Sequence, residues 1–201
     1  MNNGMNDVFA EYENIYLKIF DNIYPAKNST GFPERNLSVN FSKAYERITA
    51  AKDQESISWF ELQFGVKNNF HADAVIINIS SGELFIVEAK RFSNPSSKIK
   101  EISKDIMRIH ELVSELREEN RIAMDRIQRC YGVILADIWT KRGLREDILK
   151  SYIAGQKNPQ DKNSFIKRFL PELGICNVQY DVRKIRIFKT YYLLSFLWEI
   201  I

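Results

Sequence analysis

Two acids and a lysine, Asp73, Glu88 and Lys90, stand at the ends of two apolar runs, HADAVIIN and ELFIVEAKRF. Charged side chains at the end of a buried strand are unfavourable unless something balances them. Carboxylates at two of these positions suit a hard, oxygen-preferring cation such as Mg²⁺, with Mn²⁺ as a substitute. An ammonium beside them orients or activates a water and offsets charge that develops on a phosphoryl group under attack. The chemistry implied is metal-dependent hydrolysis of a phosphodiester. The plainer alternative is an ordinary pair of strand ends whose charges emerge into solvent.

Side chains alternate along a strand, so Glu88 and Lys90 project from one face, and Asp73 shares its face with Val75 and Ile77. Ser80-Ser81-Gly82 reads as a tight turn that joins the two runs into an antiparallel hairpin. Asp73 and Glu88 then fall together at the turn-distal end, as cross-strand neighbours.

Other elements must hold that hairpin in place. ISWFELQF (57–64), ADAVIIN (72–78) and ELFIVEA (83–89) are short and rich in Val, Ile and aromatics, which predicts three consecutive strands. The last two are apolar almost throughout, which predicts burial on both faces and helices to cover them. Phe9, Tyr12, Ile15, Tyr16, Ile19 and Ile23 recur at helical spacing, and Leu37, Phe41, Tyr45 and Ile48 mark a second helix. After SNPSS, the stripe Ile99, Ile102, Ile106, Ile109, Val113, Leu116 predicts a long amphipathic helix, and YGVILADI (131–138) a further buried strand. A helix between two strands is the usual parallel crossover. Beyond it, LREDILKSYIAG and SFIKRFLPEL read as helical, VRKIRIFK as a strand, and YYLLSFLWEII fits either a buried helix or a strand. The expectation is one α/β domain over 1–201 with a central mixed sheet of four to five strands flanked by helices. Its core spans about 36–138, with an N-terminal helix in 1–35 and helical and strand additions in 139–201.

The order helix, three strands, helix, strand, with Asp73 in HADAVIIN and Glu88 and Lys90 in FIVEAKRF, resembles the PD-(D/E)XK nuclease superfamily, the restriction-endonuclease-like fold. Ala72 stands where the family name has proline. The resemblance implies Mg²⁺-dependent cleavage of DNA, more rarely RNA, as in restriction, repair or mobile-element defence endonucleases. Asp73 and Glu88 would bind the metal, and Lys90 would assist the attacking water. Many members add a glutamate from the helix before the sheet; Glu46 in KAYERIT fits that role, and Glu61 in SWFELQF is its rival. Gln63 shares the strand face of Glu61, and His71 that of Asp73, where it could bind metal through water or contact phosphate; a plain strand-entry histidine is the alternative. Arg91 follows the motif, and Lys98, Lys104, Arg108 and His110 on the next helix could approach phosphates, or belong to a hydrated face interleaved with Glu101 and Asp105.

Charge is distributed unevenly along the chain. Residues 1–88 carry 7 Lys and Arg against 12 Asp and Glu, and residues 89–201 carry 22 against 14. The basic half begins at the suspected site, which suits a partner with phosphates, most simply DNA; a solvated helix surface of mixed charge would account for it equally. Cys130 and Cys176 have no paired spacing, so neither a disulfide framework nor a zinc knuckle is indicated. The start lacks the basic segment and apolar core of a signal peptide, and TYYLLSFLWEII is shorter than the roughly 20 residues of a membrane helix, so a cytoplasmic protein is expected. GxGxxG, P-loop and GxSxG motifs are missing and there are two histidines, which leaves nucleotide-cofactor, kinase-type and triad chemistry without support. The aromatic count, with Trp59, Trp139 and Trp198 among them, would suit base stacking, but helical and strand spacing makes most of these aromatics core residues. A homodimer would bring two sites to the two strands of a duplex. The competing reading is a catalytically inactive nucleic-acid-binding or assembly module that retains the fold.

Overall fold

The computed structural model describes residues 3–23, 33–64, 70–91, 95–118, 124–139, 174–175, 177–185 and 191–200. Its elements in chain order are α1 (Asn3–Asn22), α2 (Glu34–Ala50), β1 (Ser56–Phe64), β2 (Phe70–Asn78), β3 (Glu83–Arg91), α3 (Pro95–Glu118), a 3-10 turn (Met124–Arg126), β4 (Arg129–Trp139), β5 (Val178–Lys184) and β6 (Tyr191–Glu199). From α2 to β4 the order is helix, three strands, helix, strand. The two segments expected to be helical after β4, 144–155 and 164–173, lie outside the described residues.

Six strands form one sheet in the order β1-β2-β3-β4-β6-β5. This corrects the expected count of four to five. The extra strands come from the C-terminal part: YYLLSFLWE is a strand, antiparallel to β4 on one side and to β5 on the other. Eight consecutive residues of it are buried, which is why its sequence has no period to read. The hairpin strands β2 and β3 pair antiparallel, and β3 pairs parallel with β4 across the α3 crossover. At the hairpin, Gly82 has φ +64°, and its carbonyl accepts the N–H groups of Gln128 and Arg129 at 2.7 and 3.2 Å. A side chain there would meet the Arg126 carbonyl at 2.7 Å, so the turn that sets the β2–β3 register also seats the start of β4.

The sheet is covered on both faces. On one, α1 and α2 lay Phe9, Tyr12, Tyr16, Leu37, Phe41 and Tyr45 over Ile76, Phe85, Val87, Val133, Leu135 and Leu193. The Phe41 ring meets Tyr12 edge-on at 5.6 Å, and Tyr45, Phe85 and Tyr131 run on across the sheet at 4.8 and 4.9 Å. On the other, the α3 stripe of Ile102, Ile106, Ile109, Leu112, Val113 and Leu116 packs on Leu84, Ile86, Ile134, Ala136, Leu194 and Phe196. Each such side chain contributes about 1.5–3 kcal/mol by leaving water, so the strand ends between these layers are held on a rigid support. Ile23, the last position of the first helical stripe, is exposed beyond the end of α1. Among the described residues no helix is long and apolar enough to cross a membrane.

Candidate active site

The β2–β3 ladder runs from Asn78–Glu83 to Ala74–Val87 and stops there. Continued by one step it would pair Asp73 with Glu88. Instead the Asp73 side chain turns into the gap, and its Oδ2 accepts the Ala89 N–H at 2.6 Å, replacing the backbone acceptor that β2 no longer supplies.

Strand β1 opens at the same level. Glu61 has φ +52° and, like the residue facing it, Asp73, is missing from a ladder that holds Phe60–Ala74 on one side and Leu62–Ala72 on the other. Facing changes across this break. Phe60 and Ala74 pack beneath α1 and α2, whereas Leu62 and Ala72 pack with the α3 core. A left-handed non-glycine residue costs on the order of 1–3 kcal/mol and persists where its surroundings force it, commonly beside functional sites.

Four ionisable groups converge on the α3 side of this opening. Glu88 follows Leu84 and Ile86 on that face; it is 4% exposed, and its Oε1 is buried with no hydrogen-bond partner among the described residues. Lys90 reaches across to Asp105 of α3, with Nζ 3.3 Å from Oδ2. Asp105 is itself buried and takes Arg108 Nη1 on its other oxygen at 3.3 Å. Burial raises the carboxyl of Glu88 to about 9, and the neighbouring Asp73 and Asp105 charges push it the same way against Lys90 and Arg108. Asp73 and Asp105 are raised as well, chiefly by burial. For Lys90, burial works against the charged amine, but Asp105, Glu88 and Glu34 outweigh it and lift the group above its ordinary range. Lys90 is therefore a firmly held cation, suited to offset negative charge rather than to take a proton.

The remaining residues singled out in the sequence are dispersed around this centre. Glu46 accepts a hydrogen bond from the Ser58 hydroxyl on the α2 side of β1. The acid of α2 whose charge reaches Asp73 and Lys90 is Glu34, in the first helical turn, and its Oε1 accepts the Arg91 N–H at 2.7 Å. Glu61 is exposed, yet close enough for its charge to act on Asp73. His71 is exposed, with Nδ1 3.4 Å from the Glu61 carbonyl oxygen, and Gln63 is exposed further along β1. Alternation puts Arg91 with Val87 and Ala89 on the α1/α2 face, where it pairs in register with Asp137. Lys104 and Arg108 are exposed on α3, and Lys98 lies on that helix at a position whose side chain is outside the described set. His110 lies against Trp198, whose Nε1 donates to His110 Nε2 at 3.3 Å, which makes it a packing residue.

Two acids of this region were not singled out from the sequence as site residues. Asp105 occupies the apolar stripe of α3, three residues after Ile102 and four before Ile109, where a solvated acid does not belong. Asp137 interrupts the apolar run of β4; burial raises it to about 6 against the pull of Arg91 and the Tyr191 hydroxyl. In both, the signal was a charge at a position the pattern assigns to the core.

A divalent cation fits the donors on the α3 side. Mg²⁺ characteristically takes one or two carboxylates from a protein and completes its octahedron with water and substrate phosphate. Among the described residues, Asp73 has one oxygen committed to Ala89 and one left over, and Glu88 has a buried oxygen without a partner. Among the described residues no group of three or more His, Cys, Asp or Glu side chains is placed to hold a metal ion. No family model, curated protein or solved structure matches the chain.

Proposed function

We propose that this chain is a Mg²⁺-dependent nuclease of restriction-endonuclease-like build that hydrolyses phosphodiester bonds in DNA, with Mn²⁺ as a substitute ion. The observation that carries the reading is Glu88, a buried carboxylate with an unpartnered oxygen, placed beside Asp73 where the β2–β3 ladder opens and flanked by the Lys90 ammonium. Without a cation, burial and the neighbouring Asp73 and Asp105 charges keep Glu88 protonated near neutral pH, and a bound cation would let it ionise. Bound there, the ion would polarise the phosphodiester and lower the pKa of a coordinated water.

The residues of the chain supply the rest. Asp73 and Glu88 would hold the ion, and the hydrogen bond from Ala89 fixes the rotamer of Asp73. Lys90, anchored by Asp105, faces the charge that grows on the phosphoryl oxygens as the bond breaks. Such preorganised cations act most strongly where water is excluded, and Lys90 is about four-fifths buried between β3 and α3, at 21% side-chain exposure.

Incubating the purified chain with single-stranded, duplex and branched DNA and with RNA, in Mg²⁺, Mn²⁺ or chelator, tests the proposal. Cutting is expected with either ion, none with chelator, and a loss of at least about 100-fold in Lys90→Ala, the usual size for one transition-state-stabilising group. Lys90→Ala that still cuts at the wild-type rate defeats the assignment. Ion-dependent binding of these substrates without turnover would mark a nucleic-acid-binding module that has kept the fold.

A further inference from the structure

Tryptophan is highly buried on average, and its ring carries a large apolar area that a planar partner can cover. Trp59 is 64% exposed, and Ile57 beside it 51%. Both sit on β1, which among the described strands is outermost in the sheet and pairs with β2. Trp59 pairs with Val75, whose side chain enters the core beneath α3, so the indole stands on the face that carries Glu88 and Lys90. Two residues further along β1 lies Glu61, opposite Asp73.

From these positions we infer that Trp59 is a stacking platform for an unpaired nucleobase next to the scissile phosphate, so that the substrate is single-stranded or locally opened nucleic acid. The inference rests on the nuclease reading and narrows its substrate. Strand geometry of ~3.4 Å per residue and ~4.8 Å between strands puts the Trp59 Cα about 8 Å from that of Asp73. A single nucleotide spans that interval from its phosphate to its base. In a duplex both faces of each base are covered by its neighbours, and only a base out of the stack can offer its face to an indole. The phosphate side of the same nucleotide would meet the cations of this face, Lys90 and Arg108.

A second copy of the chain is the rival occupant of an exposed apolar edge strand. The edge is badly shaped for it. Glu61 breaks the β1 ladder with its left-handed backbone and leaves an exposed carboxylate on the edge, two devices by which proteins block strand-to-strand addition. A flat aromatic ring needs no backbone pairing to bind a base.

The test uses the full chain and its Trp59→Ala and Trp59→Phe variants, each checked for an unchanged thermal melt. Affinity is measured for a short oligothymidylate, a short oligouridylate and a blunt duplex, with Ca²⁺ as the cation, alongside cleavage of the same three in Mg²⁺. Trp59→Ala should lose about 5- to 150-fold in affinity for both single strands, the range found for removing one base-stacking aromatic. Its loss on the duplex should be several-fold smaller, and Trp59→Phe should recover most of the single-strand affinity. Equal losses on single strand and duplex, or none, overturn the inference. So does a wild-type dimer that Trp59→Ala converts to monomer in sedimentation, which would make the patch a contact between copies. The two proposals fail separately: a wild type that cuts nothing but shows the Trp59-dependent single-strand preference removes the nuclease and leaves the platform. Cutting with no such preference does the reverse.

Discussion

Replacing Glu88 by Gln keeps the shape of the side chain and removes its titration, so its effect on stability depends on pH. The folded protein raises this carboxyl from its ordinary 4.5 to about 9. Between those values the folded state holds a proton that the unfolded chain has released. The stabilisation is complete below the lower value and is lost as pH rises toward the upper one. One proton difference corresponds to about 1.4 kcal/mol per pH unit, so metal-free wild type should lose roughly 2.7 kcal/mol relative to Glu88→Gln over two pH units near neutrality. Urea unfolding of both proteins in chelator, at pH values from about 5.5 to 7.5, reads the gap directly. Asp73 and Asp105 titrate in both proteins, and the comparison isolates position 88 apart from the relief its neighbours feel. Mg²⁺ should then stabilise the wild type increasingly as pH rises and leave Glu88→Gln nearly unmoved. Parallel profiles for the two proteins, within about 0.5 kcal/mol across the range, would refute the reasoning, because a carboxyl that ionises as freely in the fold as in water contributes no such slope.

Asp105→Asn removes the charge that anchors Lys90 at 3.3 Å, and cleavage should fall by about 10- to 100-fold, the usual penalty for losing a residue that orients a functional group; wild-type rates in a steady-state cutting assay would contradict this. Gly132→Ala would place a Cβ 2.1 Å from Cζ2 of Trp198, whose indole is held by its hydrogen bond to His110. The overpacked variant should be destabilised by about 1–3 kcal/mol, seen as a lowered midpoint in thermal melting.

The central strands were legible in the sequence because β2, β3 and β4 are short, apolar on both faces and bounded by turn residues, and the hairpin turn fixes Asp73 and Glu88 at one end by counting alone. Strand β6 could not be told from a helix, since burial on both sides erases the period that separates them. Strand β5 begins at Val178, earlier than VRKIRIFK indicates, because Val178, Tyr180 and Val182 alternate onto the α3-side core from the sheet's outer edge. In the site, alternation brought Glu88 and Lys90 to one face, but it could not foresee the paired break at Glu61 and Asp73, which depends on how two strands separate. Asp105 enters through tertiary packing of α3, although its place within an apolar stripe was a readable sign. Trp59 is exposed, although strand spacing makes most of the aromatics core residues, because β1 is an outermost strand of the described sheet.

The central claim is that Asp73 and Glu88 share one divalent cation beside Lys90. Calorimetric titration of Mn²⁺ into the protein near neutral pH, repeated in buffers of different ionisation enthalpy, measures both the binding and the protons released. The account predicts one site that releases about one proton per ion as Glu88 ionises, with both signals gone in Glu88→Gln and in Asp73→Asn. Binding of equal strength in those variants, or binding without proton release, would contradict it.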